Sequence, residues 1–267
     1  MIRFSVLRAA GVGLLALCLQ TSIVRAAELK VLSTTAMTDA WQELKPKFEA
    51  TGHKITLVLA PSGALAKRVQ DGEAADVIVT TTSGLDNLTK EGKAVDGTGA
   101  SVAKSGIGIA VRKGAPKPDI STSDALKKTL LAASAIAYTD PASGGASGIY
   151  FVKVLERLGI AEEMKAKTKF GHGGPTGAIV ASGEADIAVQ QIPELMPVAG
   201  IDIVGPLPGE LQSFTRFSAG VLTSSKETEA AKALITFLQA PETITVLKAK
   251  GFEPGDATPP KAGSGSY

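Results

Sequence analysis

Leu29-Lys30-Val31-Leu32-Ser33-Thr34-Thr35-Ala36-Met37-Thr38-Asp39-Ala40-Trp41 decides the fold. Its first four residues read as a short apolar strand and the next three as a polar run. From Met37 onward apolar residues recur at three- and four-residue spacing (Ala40, Trp41, Leu44, Phe48), which predicts an amphipathic helix that Gly52 stops. The unit of strand, hydroxyl turn and helix then repeats. Residues 54–59 form a second strand ending in Ala60-Pro61-Ser62-Gly63, and a helix follows over 64–70. Ala75-Asp76-Val77-Ile78-Val79 is a third strand, running into Thr80-Thr81-Thr82-Ser83. Apolar, β-branched strands alternating with helices predict a parallel sheet covered on both faces. In such sheets ligands bind beyond the carboxyl ends of the strands. One Ser/Thr cluster after a strand is ordinarily a turn or a helix cap. Three in succession on one rim suggest a site.

A second unit follows, with strands over 106–111 and 134–138 around a helix at 123–132. The second strand ends in Thr139-Asp140-Pro141-Ala142-Ser143-Gly144-Gly145-Ala146-Ser147-Gly148, before a helix over 149–158. Glycines let the backbone approach a ligand closely, and the first N–H groups of the helix point at it, so this turn reads as an anion cradle. It lacks the lysine and spacing of a nucleotide phosphate loop, which excludes ATP binding. Another such turn, Gly171-His172-Gly173-Gly174-Pro175, precedes a helix over 176–182 and a strand, 185–189, that ends in Gln190-Gln191. A strand at 214–222 and helices at 227–238 and 241–250 complete the pattern, and 254–267 reads as a flexible Gly/Pro/Ser-rich tail.

Outside these units the sequence mainly excludes. Arg3 and Arg8, the apolar run 11–19 and Val24-Arg25-Ala26 read as a cleavable export signal over residues 1–26, which places the mature protein in the periplasm. That run is about half the ~20 residues a membrane-crossing helix needs. The single cysteine, Cys18, lies within it, so the mature chain has no disulfide, thiolate metal site or cysteine nucleophile. With 28 Lys+Arg against 26 Asp+Glu, aromatics at 4% and no basic block, the chain lacks the footprint of a nucleic-acid binder. Two histidines make a bound transition metal an unpromising reading, and no cofactor is expected.

Several segments together resemble the molybdate-binding proteins of bacterial ABC importers. They are residues 31–40, Pro61-Ser62-Gly63-Ala64-Leu65-Ala66-Lys67, residues 72–77, Asp140-Pro141 with Gly148-Ile149-Tyr150, residues 180–186, Phe237-Leu238 and Gly251-Phe252. The resemblance implies an α/β, two-lobed type II periplasmic binding protein fold, each lobe a helix-flanked, mostly parallel sheet, with the ligand cleft between lobes. Residues 27–104 with 218–253 would form lobe one and 105–217 lobe two, the chain crossing near 102–106 and 215–220. It further implies a monomer that holds a small anion and docks on an inner-membrane permease. The family binds its oxyanion through hydroxyls and backbone N–H groups. Ser62 keeps the second-turn serine, whereas Ala36 stands at the first serine position and Gln190 at the tyrosine position. Those changes suit a carboxylate-bearing ligand better than molybdate.

The expected ligand contacts are therefore Thr34, Thr35, Ala36, Ser62, Gly63, Ser143, Gly145, Ala146, Ser147, His172, Gly173, Gly174 and Gln190. The chain also looks like the periplasmic aconitate isomerases, a close subfamily that moves a double bond in a tricarboxylic acid. If the cleft is an enzyme's, His172 is the expected base, because imidazole changes charge near neutral pH. Its other reading is a loop residue capping the next helix.

Overall fold

The computed structural model describes residues 26–172 and 174–255. The expected export signal, Gly173 and most of the expected tail therefore lie outside the described residues. In chain order the strands are β1 (Glu28–Thr34), β2 (Lys54–Ala60), β3 (Val77–Thr81), β4 (Ala100–Ser105), β5 (Ile107–Arg112), β6 (Ile136–Thr139), β7 (Thr168–Gly171), β8 (Ile187–Gln191), β9 (Ile201–Pro206), β10 (Thr215–Val221) and β11 (Glu253–Pro254). The helices are α1 (Thr38–Glu49), α2 (Ser62–Gln70), α3 (Thr82–Lys90), α4 (Ser123–Ala132), α5 (Ala146–Arg157), α6 (Ala161–Lys165), α7 (Gly177–Ser182), α8 (Ile192–Leu195), α9 (Thr228–Leu238) and α10 (Pro241–Ala249).

The strands form two sheets, ordered β11-β4-β10-β3-β1-β2 and β7-β6-β8-β5-β9. Each is mixed. The repeated strand-helix units supply the parallel pairs, β1 with β2 and β3, and β6 with β7 and β8. The strands at the passages between sheets, β4, β5, β9 and β10, add the antiparallel ones. Only Gly106 separates β4 from β5, so the chain leaves the first lobe for the second without a loop. It returns between β9 and β10.

Burial on both faces follows from the two-residue period of a strand. In the first lobe Leu29, Val31, Val77 and Val79 pack with the α1 residues Ala40, Trp41, Leu44 and Phe48 on one face. Leu32 and Ile78 point the other way, onto Leu65 and Val69 of α2 and Leu85 and Leu88 of α3. The second lobe repeats the plan, with Ile136, Tyr138, Ile187 and Val189 against α4 and α5, and Ala137 and Ala188 on the opposite face. Small residues on that face let α7 and its neighbours lie close to the sheet. Among the described residues no helix is long and apolar enough to cross a membrane.

Candidate functional site

Because β1, β2, β6 and β8 all end at the same rim, their last residues and the helix starts beyond them face one another across the lobes. There they enclose a crevice lined by Thr34, Thr35, Ala36, Pro61 and Ser62 from the first lobe. The second lobe contributes Thr139, Gly145, Ala146, Ser147, Gln191 and Glu194, and Phe217 of β10 closes the back. The lobes stand shut, leaving about 20 Å3 for the centres of water molecules, so a ligand of several heavy atoms enters with the lobes parted. A larger hollow of about 540 Å3 lies at the opposite end of β8, around Arg112, Pro116 and Asp186. It lacks the convergent hydroxyls and helix starts of the crevice, so volume alone does not mark the site.

The hydroxyls are linked. Ser62 Oγ donates to Thr34 Oγ1 at 3.1 Å, and Thr139 and Ser147 hydroxyls lie 3.5 Å apart. Ser33, by contrast, is occupied in the core, where it accepts from Trp41 Nε1 at 2.8 Å. Helices α2 and α5 both start at the crevice, and the residues before them, Pro61 and Gly145, provide no side-chain cap. First-turn N–H groups other than that of Gly63, which donates to Gly144 O, and the positive end of the helix dipole are therefore available to an anion. The glycines in the α5 turn are needed for contact rather than for flexibility. A Cβ on Gly148 would lie 1.9 Å from the Thr139 carbonyl oxygen, and one on Gly145 2.3 Å from Thr139 Cγ2.

Across the mouth the lobes touch through backbone. Gly63 N–H donates to Gly144 O at 3.1 Å. A second bridge spans the crevice, where Thr35 Oγ1 donates to Glu194 Oε1 at 3.1 Å. Among the described residues, Glu194 is the one titratable side chain in the lining, and no lysine or arginine joins it. Part of its surface borders the crevice, yet protein surrounds the crevice itself, and this burial pushes its pKa from the usual 4.5 up to about 7. Hydrogen bonds from Thr35 and Gln190 oppose that rise.

Thr34, Thr35, Ala36, Ser62, Gly145, Ala146 and Ser147 thus meet in the crevice. The other expected contacts stand elsewhere. Gly63 is at the lobe–lobe contact, and Ser143 turns its hydroxyl onto its own turn, donating to Asp140 O at 2.6 Å. Gly174 is exposed, with open space where a Cβ would stand. His172 is outside the lining: its side chain is 75% exposed and its Nδ1 sits 3.3 Å from Asp140 Oδ2. Gln190 is buried behind the wall, and its neighbour Gln191 takes the place in the lining. That one-residue difference turns the side chain to the other face of the strand. Gln191 donates to Thr215 Oγ1 at 2.7 Å, while its Oε1, buried, has no partner among the described residues. Of the charged residues on α2, Lys67 pairs with Asp71 and Arg68 with Glu73. The expected contacts did not include Pro61, Thr139, Gln191, Glu194 and Phe217. The available signal was the rim rule itself, applied one turn further, past Gln191 into Ile192-Pro193-Glu194.

A curated relative, the aconitate isomerase of a Pseudomonas species, is 37% identical over 238 residues, covering 86% of this chain and 89% of that protein. The molybdate-binding protein ModA of Azotobacter vinelandii is 30% identical, covering 91% of this chain and 95% of its own length. Among solved structures, the A. vinelandii periplasmic molybdate-binding protein superposes with a TM-score of 0.71 at 20% identity, over 84% of this chain and 98% of that one. The sulfate-binding protein SubI of Mycobacterium tuberculosis gives 0.70 at 18% identity, over 86% and 88%. Residues 29–253 match the model of the bacterial extracellular solute-binding protein family, and the chain belongs to that family, in the branch shared by molybdate-binding proteins and aconitate isomerase.

Proposed function

We propose that the crevice holds a small unsaturated polycarboxylate and that Glu194 moves a proton on it, an isomerase activity of the aconitate type carried out in the periplasm. One observation carries this reading: a carboxyl group stands in the wall of a crevice ringed by hydroxyls and helix starts, with no lysine or arginine among the described lining residues. For a receptor of fully ionised oxyanions such a group is a liability. Two like charges 4 Å apart repel by about 4 kcal/mol at the effective dielectric of a protein surface. For an allylic proton shift the same group is the required part. A base removes the proton from the carbon next to the double bond, the electrons move into the conjugated carboxylate, and the proton returns at the far carbon. A carboxyl that titrates near 7 can both take and return that proton at neutral pH. Hydroxyls of Thr34, Ser62 and Ser147 and the α2 and α5 N–H groups would hold the carboxylates and the enolate-like charge. The 37% identity to an aconitate isomerase supports the same reading.

A receptor that delivers an organic carboxylate or oxyanion to an inner-membrane permease is the second reading. The lobe–lobe contact at Gly63 and Gly144 favours it, since a ligand touching both lobes stabilises the closed state. Proton NMR of the purified protein with cis- and trans-aconitate separates the two. Interconversion, together with a larger thermal shift from tricarboxylates than from molybdate or tungstate, is expected. Ligand returned unchanged, with molybdate giving the largest shift, sinks the isomerase.

A further inference from the structure

We infer that Thr35, from the first lobe, positions the Glu194 carboxyl of the second: its hydroxyl holds Oε1 and fixes the group for proton transfer on a ligand in the crevice. This deepens the isomerase reading and rests on it for its kinetic consequence, while the hydrogen bond stands by itself. Thr35 Oγ1 donates to Glu194 Oε1 at 3.1 Å, and both residues line the crevice. The donor is fixed. Thr35 opens a single tight turn in which Ala36 and Met37 are buried, and its carbonyl accepts from Thr38 N–H and, at 2.7 Å, from Thr38 Oγ1. As a β-branched residue it is stiff at its first side-chain torsion. The carboxyl is not fixed by its own helix. Buried Pro193 and Leu195 anchor α8, as does Ile192 N–H, which donates to Gly106 O at 3.1 Å. The long glutamate side chain beyond that backbone keeps its rotamer freedom unless its end is held.

A hydroxyl suits a carboxyl that changes charge. It donates to the ionised form and can accept from the protonated one. One partner therefore serves while the proton leaves the ligand carbon for the carboxylate and returns at the far carbon. A lysine or arginine in its place would hold the carboxyl ionised. The elements packed against α8 are β5, β8, α1 and the turn Thr35–Met37. The turn and β8 carry no charged residue. On α1, Asp39 pairs with Lys250, Glu43 with Lys47 and Glu49 with Lys45. On β5 the charged residue is Arg112, at the strand end that borders the distant hollow. Past α10, Gly251 lies against Ile192 and Met196; of the lysines before it, Lys248 is exposed and Lys250 is the partner of Asp39. These charges are paired, exposed or distant, and the neutral Thr35 donor is what reaches Glu194 from the first lobe.

Thr35→Val keeps the shape and removes the hydroxyl, whereas Thr35→Ser keeps the hydroxyl and removes a methyl group. In the Val variant kcat with aconitate should fall about tenfold or more while KM stays within about threefold, because a misplaced base spoils the reacting geometry and not the binding. Loss of a donor to the charged form also raises the proton affinity of the carboxyl. A 13C titration of Glu194 in the ligand-free protein, and the acid limb of the kcat/KM profile, should both move up by about one pH unit. Thr35→Ser should return kcat to within about threefold of the wild type and restore the titration. An unmoved titration in Thr35→Val, or an equal loss in the Val and Ser variants, overturns the assignment. So does a raised KM at unchanged kcat, which would make Thr35 a ligand contact. If the wild-type protein shows no turnover, the isomerase reading falls, while the titration still decides whether Thr35 holds Glu194. Should the Val variant fail to fold, Thr35→Ala takes its place, with the same expected and overturning results.

Discussion

Glu194→Gln is expected to abolish turnover while making the fold more stable above neutral pH. Loss of the group that carries the proton costs about 10²–10⁴ in rate. The stability effect has the opposite sign, and linkage gives it. Below pH 4.5 the carboxyl is protonated whether the chain is folded or not. Between 4.5 and about 7 the folded protein keeps the proton and the unfolded chain releases it. Folding stability from this group is therefore full in acid and is lost as pH rises through that window. An amide at the same position stays neutral throughout and recovers the loss at pH 8. A rise of about 1–3 kcal/mol, or several degrees in melting temperature, follows once water in the crevice is allowed for. At pH 4 the two proteins should melt together. Equal melting at pH 8, or retained turnover, removes Glu194 from the chemistry. His172→Ala is the matched control: an exposed rim side chain should alter kcat/KM by about twofold or less.

The fold and half of the crevice were legible because both follow from local periodicity. Met37, Ala40, Trp41, Leu44 and Phe48 can share one side only on a helix, and the Ser/Thr runs after β1 and β2 must then reach the rim where those strands end. Glu194 was not legible, because a proline followed by an acidic residue is also what an ordinary helix start looks like. Only burial by the facing lobe turns it into a titrating group. Gln190 was named from the family's tyrosine position, and nothing local in the sequence points to Gln191 instead: β8 is buried on both faces, so no alternation of polar and apolar residues fixes which parity faces the crevice. The place of His172 outside the lining was illegible for a related reason. A glycine-framed turn announces backbone freedom, and the pairing with Asp140 that holds the ring at the rim depends on a residue more than thirty positions away.

Gly63→Ala should separate folding from closure in the same manner. Gly63 lies in the first turn of α2, where alanine is the better helix former by about 0.5–1 kcal/mol, so the first lobe should fold at least as well. Its Cβ, however, would lie 2.9 Å from Gly144 Cα and 3.1 Å from Gly144 O, both backbone atoms of the opposite lobe that no rotamer change can move aside. The lobes must then stay apart, and the Gly63 N–H to Gly144 O bond, 3.1 Å in the closed protein, is lost with the contact. Apparent affinity falls in proportion to the closed population. One backbone hydrogen bond plus the steric cost corresponds to roughly ten- to a hundredfold weaker binding of the tricarboxylate, with no fall in the melting temperature of the ligand-free protein. Gly144→Ala is a poorer probe, since the φ of +77° at that position strains an alanine whatever the lobes do. Calorimetric titration reads the affinity, and small-angle scattering with ligand reads whether the molecule still contracts. Undiminished affinity and full contraction in Gly63→Ala would show that the two glycines are neighbours by proximity alone, and that the closed state is set by the ligand and by Thr35 with Glu194.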